Sequence, residues 1–183
     1  MSTSQGVLQG LSRRLAQLEL TLAGVALSGV LLLLLLNVLT RAIGQAFFWT
    51  DELAVSLMVW MAFLAASASI HHGSNIAVSI VSEFLPPKLR FWLAILVNTL
   101  VLGFFLILLW LCWRWFDLPG LAAAGWDSTT FASETFNFIY SEPTQTLGLG
   151  KIWFWLVVPW FALGGSLHAL AQLRRAARRG VNS

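Results

Sequence analysis

The 183-residue chain is 58% apolar and only 10% charged, whereas a soluble domain usually carries about 25% charged residues to cover its surface. That balance excludes an ordinary water-facing globule. The net charge of +3 comes from Lys and Arg at the flanks of apolar runs rather than from one amphipathic face, which argues against nucleic-acid binding.

In chain order, the first long apolar run covers residues 18–40 and contains six consecutive leucines, Leu31 to Leu36. It is about one bilayer thickness of helix. Arg13 and Arg14 precede it as they would a signal peptide, but the run is too long for an h-region and no small-x-small cleavage site follows, so an uncleaved span is expected. A second run, 53–70, opens after Trp49-Thr50-Asp51-Glu52. There Thr50 is expected to cap the first turn, with the two carboxylates opposing the positive end of the helix dipole. Residues 75–85 place Ile76, Ile80, Val81 and Phe84 at helical spacing but are too few to cross a bilayer, so an interfacial amphipathic helix is expected before Pro86-Pro87. The third run is 91–115 and the fourth 152–173, with Pro159 expected as a kink inside it. The resulting class is an all-α integral membrane protein of four spans. A 1–17 segment precedes the 18–173 membrane domain, a polar 117–150 loop separates spans three and four, and a basic 174–183 tail ends the chain.

Basic residues set the orientation, because cytoplasmic loops retain Lys and Arg. Arg13, Arg14, Lys88, Arg90, Arg174, Arg175, Arg178 and Arg179 fall on one side, and only Arg41, Arg114 and Lys151 on the other. Eight against three predicts that both termini are cytoplasmic. Trp110, Trp113 and Trp115 at the end of span three, with Trp153 and Trp155 at the start of span four, mark the opposite interface.

Chemistry inside the spans looks sparse. Glu19, Arg41, Arg114 and His168 fall near span ends, where side chains snorkel, and Ser28, Asn37, Ser56, Ser67, Asn98 and Ser166 are neutral. No coupling carboxylate is expected at mid-depth. The lone Cys112 gives neither a disulfide nor a cysteine-based metal site. His71, His72 and His168 do not form the facing pairs that haem needs, and interfacial structural histidines are the simpler reading, so no cofactor is expected. Span two carries Ala62, Ala65, Ala66, Ser67, Ala68 and Ser69, small residues that let another backbone approach. Packing within the four spans and packing against a partner subunit both satisfy that pattern. Asp51 and Glu52 can act as helix caps, and Asp51 or Glu52 can also pair with Arg41 across the turn.

Arg41, then Trp49-Thr50-Asp51-Glu52-Leu53, then Trp60 resembles the Arg … Trp-x-x-Glu-Leu … Trp pattern of the DctQ-like small membrane subunit of tripartite ATP-independent periplasmic (TRAP) transporters. Glu142-Pro143, Thr146-Leu147-Gly148, Trp153 and Pro159 are similar to the start of that family's last span, and the resemblance runs over about 18–173. Two features depart from it. His71-His72-Gly73-Ser74-Asn75-Ile76 replaces an Arg-x-Gly-x-His-Ile pattern, and 119–141 is longer than in short members. The resemblance implies a non-enzymatic scaffold in the bacterial inner membrane. It would sit beside a large multi-span subunit that imports an organic acid, such as a C4-dicarboxylate or sialic acid, by sodium symport, with a periplasmic binding protein delivering the solute. Arg41, Trp49, Asp51, Glu52, Trp60, Ala62, Ala65, Ala66 and Ser69 are the expected interface or docking residues. The readings set against this are a membrane anchor for a respiratory enzyme and a self-contained small exporter, for which Glu19 is the candidate carboxylate.

Overall fold

The computed structural model describes residues 3–73 and 85–181. The expected interfacial helix at 75–85 lies, apart from Leu85, outside the described residues. Seven helices are described: α1 (Thr3–Ala42), α2 (Trp49–His72), α3 (Pro87–Phe116), α4 (Leu118–Ala123), α5 (Ser128–Thr135), α6 (Ile152–Trp155) and α7 (Val157–Val181). Four stretches are long and apolar enough to cross a membrane, built on α1, α2, α3 and the α6–α7 pair. The all-α, four-span class holds. An even number of spans brings both chain ends to one side of the bundle, the terminal side, while the α1–α2 turn and the 117–151 connection occupy the loop side.

The helix ends follow from local chemistry. Arg41 lies in the last turn of α1, where a cation suits the carbonyl end of the dipole. The chain then turns at Gly44, whose φ of 77° is open to glycine at no steric cost. Thr50 does not cap α2: Phe48 holds the cap position without a side-chain bond, and the Thr50 hydroxyl donates to the Phe47 carbonyl instead. Pro87 begins α3, where its missing N–H costs nothing. Pro159 does not kink a continuous helix. The fourth span divides at Leu156 into α6 and α7, because the Pro159 ring collides with the carbonyl four residues back, at Trp155, and α6 ends there.

Burial is inside-out relative to a soluble bundle. The inward stripe of α1 runs Ser12, Ala16, Glu19, Ala23, Ala26, then Asn37 and Thr40, all buried, while Leu27, Leu31, Leu32, Leu34 and Leu35 are exposed. Steps of four and three keep that stripe on one seam. Lipid receives leucine as readily as another helix does, so close backbone approach at small residues drives the packing instead. The α1 seam meets α2, and both meet α7; α3 joins the others mainly through α7. At that junction a Cβ on Gly165 would run into the Phe105 ring. Phe105 stacks edge-on against Phe161, which does the same with Phe63, at 5.0 Å in both cases.

Candidate functional site

On the loop side, the first turn of α2 presents two adjacent carboxylates with separate tasks. Asp51 faces α1: Arg41 Nη2 lies 3.1 Å from its Oδ2, and Asn37 donates to its Oδ1 while accepting from Arg41 Nε at 2.6 Å. Both partners of that ion pair are more than half exposed, so it stabilises the turn by at most about 1 kcal/mol. Glu52 faces the 144–147 loop. Its carboxylate accepts the backbone N–H groups of Gln145 at 2.9 Å, Thr146 at 2.7 Å and Leu147 at 3.2 Å, together with the Thr146 hydroxyl at 2.6 Å. Four donors converging on one anion make a clamp, and both oxygens are used inside this chain.

The clamped loop is itself braced. Pro143 and Gly150 pair in an antiparallel bridge, Thr144 N donates to Leu149 O at 2.7 Å, and Lys151 Nζ meets Glu142 Oε1 at 2.5 Å. Further back, Asn137 donates to the Trp115 carbonyl at 2.7 Å and Tyr140 to the Phe116 carbonyl at 2.5 Å, which ties the connection to the end of α3. Burial and the nearby Asp117 push the Tyr140 phenol up from its ordinary value. Asp127 caps α5, and the Thr130 and Thr129 hydroxyls and N–H groups hold its carboxyl well below the usual range. Between α2 and this loop lies a cleft of about 530 Å³ whose lining includes apolar Val55, Val59, Phe154 and Trp155 and charged Glu52 and Lys151.

The other expected interface residues fall along α2. Ala62, Ala66 and Ser69 are exposed on the same side as Val55, Met58 and Val59, Ala65 and Trp60 are half-buried, and Trp49 is exposed and stacked on Phe47. Ser67 and Ala68 turn inward and are fully buried. The run of small residues therefore serves two faces: one packs within the chain and the other faces outward.

On the terminal side lies a cluster that overturns the expectation that Glu19 and His168 snorkel from span ends; Arg41 and Arg114 are exposed. Glu19 and His168 are completely buried, as are Ser12 and Ser67. His168 Nε2 lies 3.0 Å from Glu19 Oε2, and Ser67 donates to Glu19 Oε1 at 2.8 Å. Ser12 Oγ lies 2.8 Å from His168 Nδ1 and 2.7 Å from His71 Nδ1. Gln172 donates to the Ile70 carbonyl at 3.2 Å and to that of His71. Both ring nitrogens of His168 are engaged, which leaves neither for a haem iron. A Cβ on Gly164 would sit 2.5 Å from Glu19 Oε1 and 2.7 Å from Ser67 Oγ, so only glycine admits the carboxylate there. The sequence carried a signal for this site: Ser12, Ala16, Glu19, Ala23 and Ala26 keep the four-three step of a helix seam, and a carboxylate within such a seam points inward.

These features define a class: a multi-pass helical membrane protein whose loop-side connection is clamped onto its second span. Within that class, residues 30–179 match the family model for the DctQ component of tripartite ATP-independent periplasmic transporters, and the chain belongs to that family. It is a small component of a TRAP transporter, and the family is one of transporter parts rather than enzymes. Comparison with curated proteins and with solved structures yields no match.

Proposed function

We propose that the chain is the scaffold subunit of a sodium-coupled importer of organic acids. It lies in the bacterial inner membrane with both termini cytoplasmic, fixes the large transport subunit in place and stands within reach of a periplasmic binding protein. Family membership supports the transporter reading over a respiratory anchor or a self-contained exporter. The bias of basic residues to the terminal side supports the orientation. One observation carries the scaffold role: α2 is locked inward through Ser67 and Ala68 yet leaves Ala62 and Ala66 exposed beside Val55 and Val59. A small-residue face on a fixed helix is the surface that a neighbouring membrane helix packs against.

The test is co-purification with the large subunit. The Ala62→Leu/Ala66→Leu double variant fills the outward face without touching the buried one, so it is expected to fold and insert normally while losing the partner. Retention of the partner at native levels would remove α2 as the contact. In liposomes under an inward sodium gradient the chain alone is expected to take up no solute; solute uptake by the chain alone would overturn the scaffold role. Arg41→Ala and Glu52→Ala are each expected to lower uptake by the assembled transporter, because they loosen the loop side where the binding protein would dock. Unchanged uptake in both places the docking surface elsewhere.

A further inference from the structure

The buried cluster on the terminal side lies apart from both the Glu52 clamp and the outward face of α2. Ser12 and Glu19 precede the residues that match the family model. Four side chains from three helices form one continuous hydrogen-bonded line: His71 of α2, Ser12 of α1, His168 of α7 and Glu19 of α1, with contacts of 2.7, 2.8 and 3.0 Å. Its far end is sealed, since Glu19, His168 and Ser12 have no exposed surface. Its near end is half-buried His71, in the last turn of α2 beside exposed His72.

Elementary hydrogen bookkeeping constrains the line. Ser12 has one hydroxyl proton and can donate to only one of the two Nδ1 atoms it touches, so at least one of those nitrogens carries a hydrogen of its own. Glu19 has no exposed surface, and an isolated carboxylate in an apolar interior is strongly unfavourable. The set is electrically neutral only when it holds one proton beyond neutral imidazoles and an ionised carboxylate. That proton can rest on His71, on His168 or on Glu19.

We propose that His71, Ser12, His168 and Glu19 form a site for a single proton, taken up from water at His71 and relayed to the buried carboxylate. The relay balances atom by atom. A proton binds His71 Nε2; His71 passes its Nδ1 hydrogen to Ser12 Oγ; Ser12 passes its original hydroxyl hydrogen to His168 Nδ1; and His168 passes its Nε2 hydrogen to Glu19 Oε2. The imidazolium and carboxylate at the two ends become neutral, and every donor along the line reverses direction. The groups around the line discourage the proton from resting at its entry. Burial, His168 and His72, together with Arg175 of α7 and Arg13 of α1, all oppose positive charge on His71, which favours passage of the proton inward to Glu19. From α3 comes the apolar ring of Phe105 against Gly165, while its Lys88 and Arg90 sit in its own first turn. Because the line joins α1, α2 and α7, its proton content sets how firmly those helices are tied together on the terminal side.

The site is read on the full chain in lipid nanodiscs. With 15N-labelled histidine, the ring nitrogens of His168 are expected to shift with pH in the native chain and to stop responding in Glu19→Gln. The gap in Tm between the native chain and Glu19→Gln is expected to change by about 3 °C or more across the same range. A purely structural hydrogen bond would give a gap that does not vary with pH. Ser12→Ala cuts the line between the two imidazoles, and the His168 signals are then expected to become independent of a His71→Gln substitution that alters them in the native background. If Glu19→Gln does not fold, His71→Gln, which changes the half-buried end, supplies the Tm comparison on its own. His168 signals constant over the whole range, or a pH-invariant Tm gap in the folded variants, would overturn the proposal.

Discussion

At Gly164 and Gly165, two adjacent hydrogens decide whether three other elements can meet. Gly164 makes room for the Glu19–Ser67 bond, and Gly165 receives the Phe105 ring. Gly164→Ala must displace two bonded, buried groups at once, and overpacking of that kind costs about 1–3 kcal/mol. The expected result is a lower Tm for Gly164→Ala in detergent or nanodiscs. Gly103→Ala in α3, where an added Cβ meets nothing within 4 Å, serves as the control. It is expected to be neutral or to stabilise by up to about 1 kcal/mol through helix propensity. Equal losses at both positions would mean that the site around Glu19 is looser than its geometry. Glu52 makes a second test at this scale. Glu52→Ala is expected to expose the Gln145, Thr146 and Leu147 amides to rapid hydrogen exchange, while Asp51→Ala leaves them protected, because only Glu52 bonds to them. Protection that survives Glu52→Ala would show that the loop holds itself through the Thr144–Leu149 pairing.

For whole elements, what the sequence made plain and what it hid have different physical origins. Long apolar runs give span number and approximate position because a bilayer has one thickness, and that reading needs no tertiary information. The inward faces were hidden because apolar content does not distinguish lipid from protein. Leu31 to Leu36 look like a core and are largely exposed on this chain, whereas the buried seam of α1 is Ser, Ala, Glu, Asn and Thr. Glu19 was misplaced for the same reason: its distance along the run said "end", while its register with Ala16 and Ala23 said "inside". The Arg41–Asp51 pairing was legible because ten residues of turn leave few alternatives, but the Glu52 clamp joins residues more than ninety apart and no local pattern announces it. Short elements are governed by caps, and α5 gives a pH test. Asp127 accepts from Thr129 N at 3.2 Å and Thr130 N at 3.1 Å, and its carboxyl is held below the ordinary value of 3.8. A depressed folded-state value means that the cap is present above the ordinary carboxylate range and is lost only as pH falls through the lower, folded value. Protection of the Thr129 and Thr130 amides is therefore expected to persist at about pH 4, where a free aspartate is roughly half protonated. Loss of protection in step with free aspartate titration would show that the cap is weak in solution.

Over the whole molecule, the four spans are not equally attached. α1, α2 and α7 share the buried polar line and close small-residue contacts, whereas α3 presents only Phe105 and Cys112 as buried residues. Those two are seven residues apart and so lie on one face, two turns from each other. In a bilayer, helix association gains little from hiding apolar surface, and van der Waals fit has to hold α3 in place. The fit is concentrated where the Phe105 ring enters the space left by Gly165 and meets Phe161 at 5.0 Å. Phe105→Ala empties that space without altering the three-helix unit, so α3 should separate from α7 locally while the rest of the fold persists. Cys112 is the chain's single cysteine, only 5% exposed, and it reports the event directly. Its alkylation by a small maleimide is expected to accelerate about tenfold or more in Phe105→Ala, in proportion to the free energy removed from the local opening, and to stay near the native rate in Glu52→Ala. An unchanged rate in Phe105→Ala would assign the attachment of α3 to the loop-side bonds from Asn137 and Tyr140 to the Trp115 and Phe116 carbonyls. The frame would then be held at its rim rather than at its centre, and α3 would be free to adjust to a neighbouring subunit along most of its length.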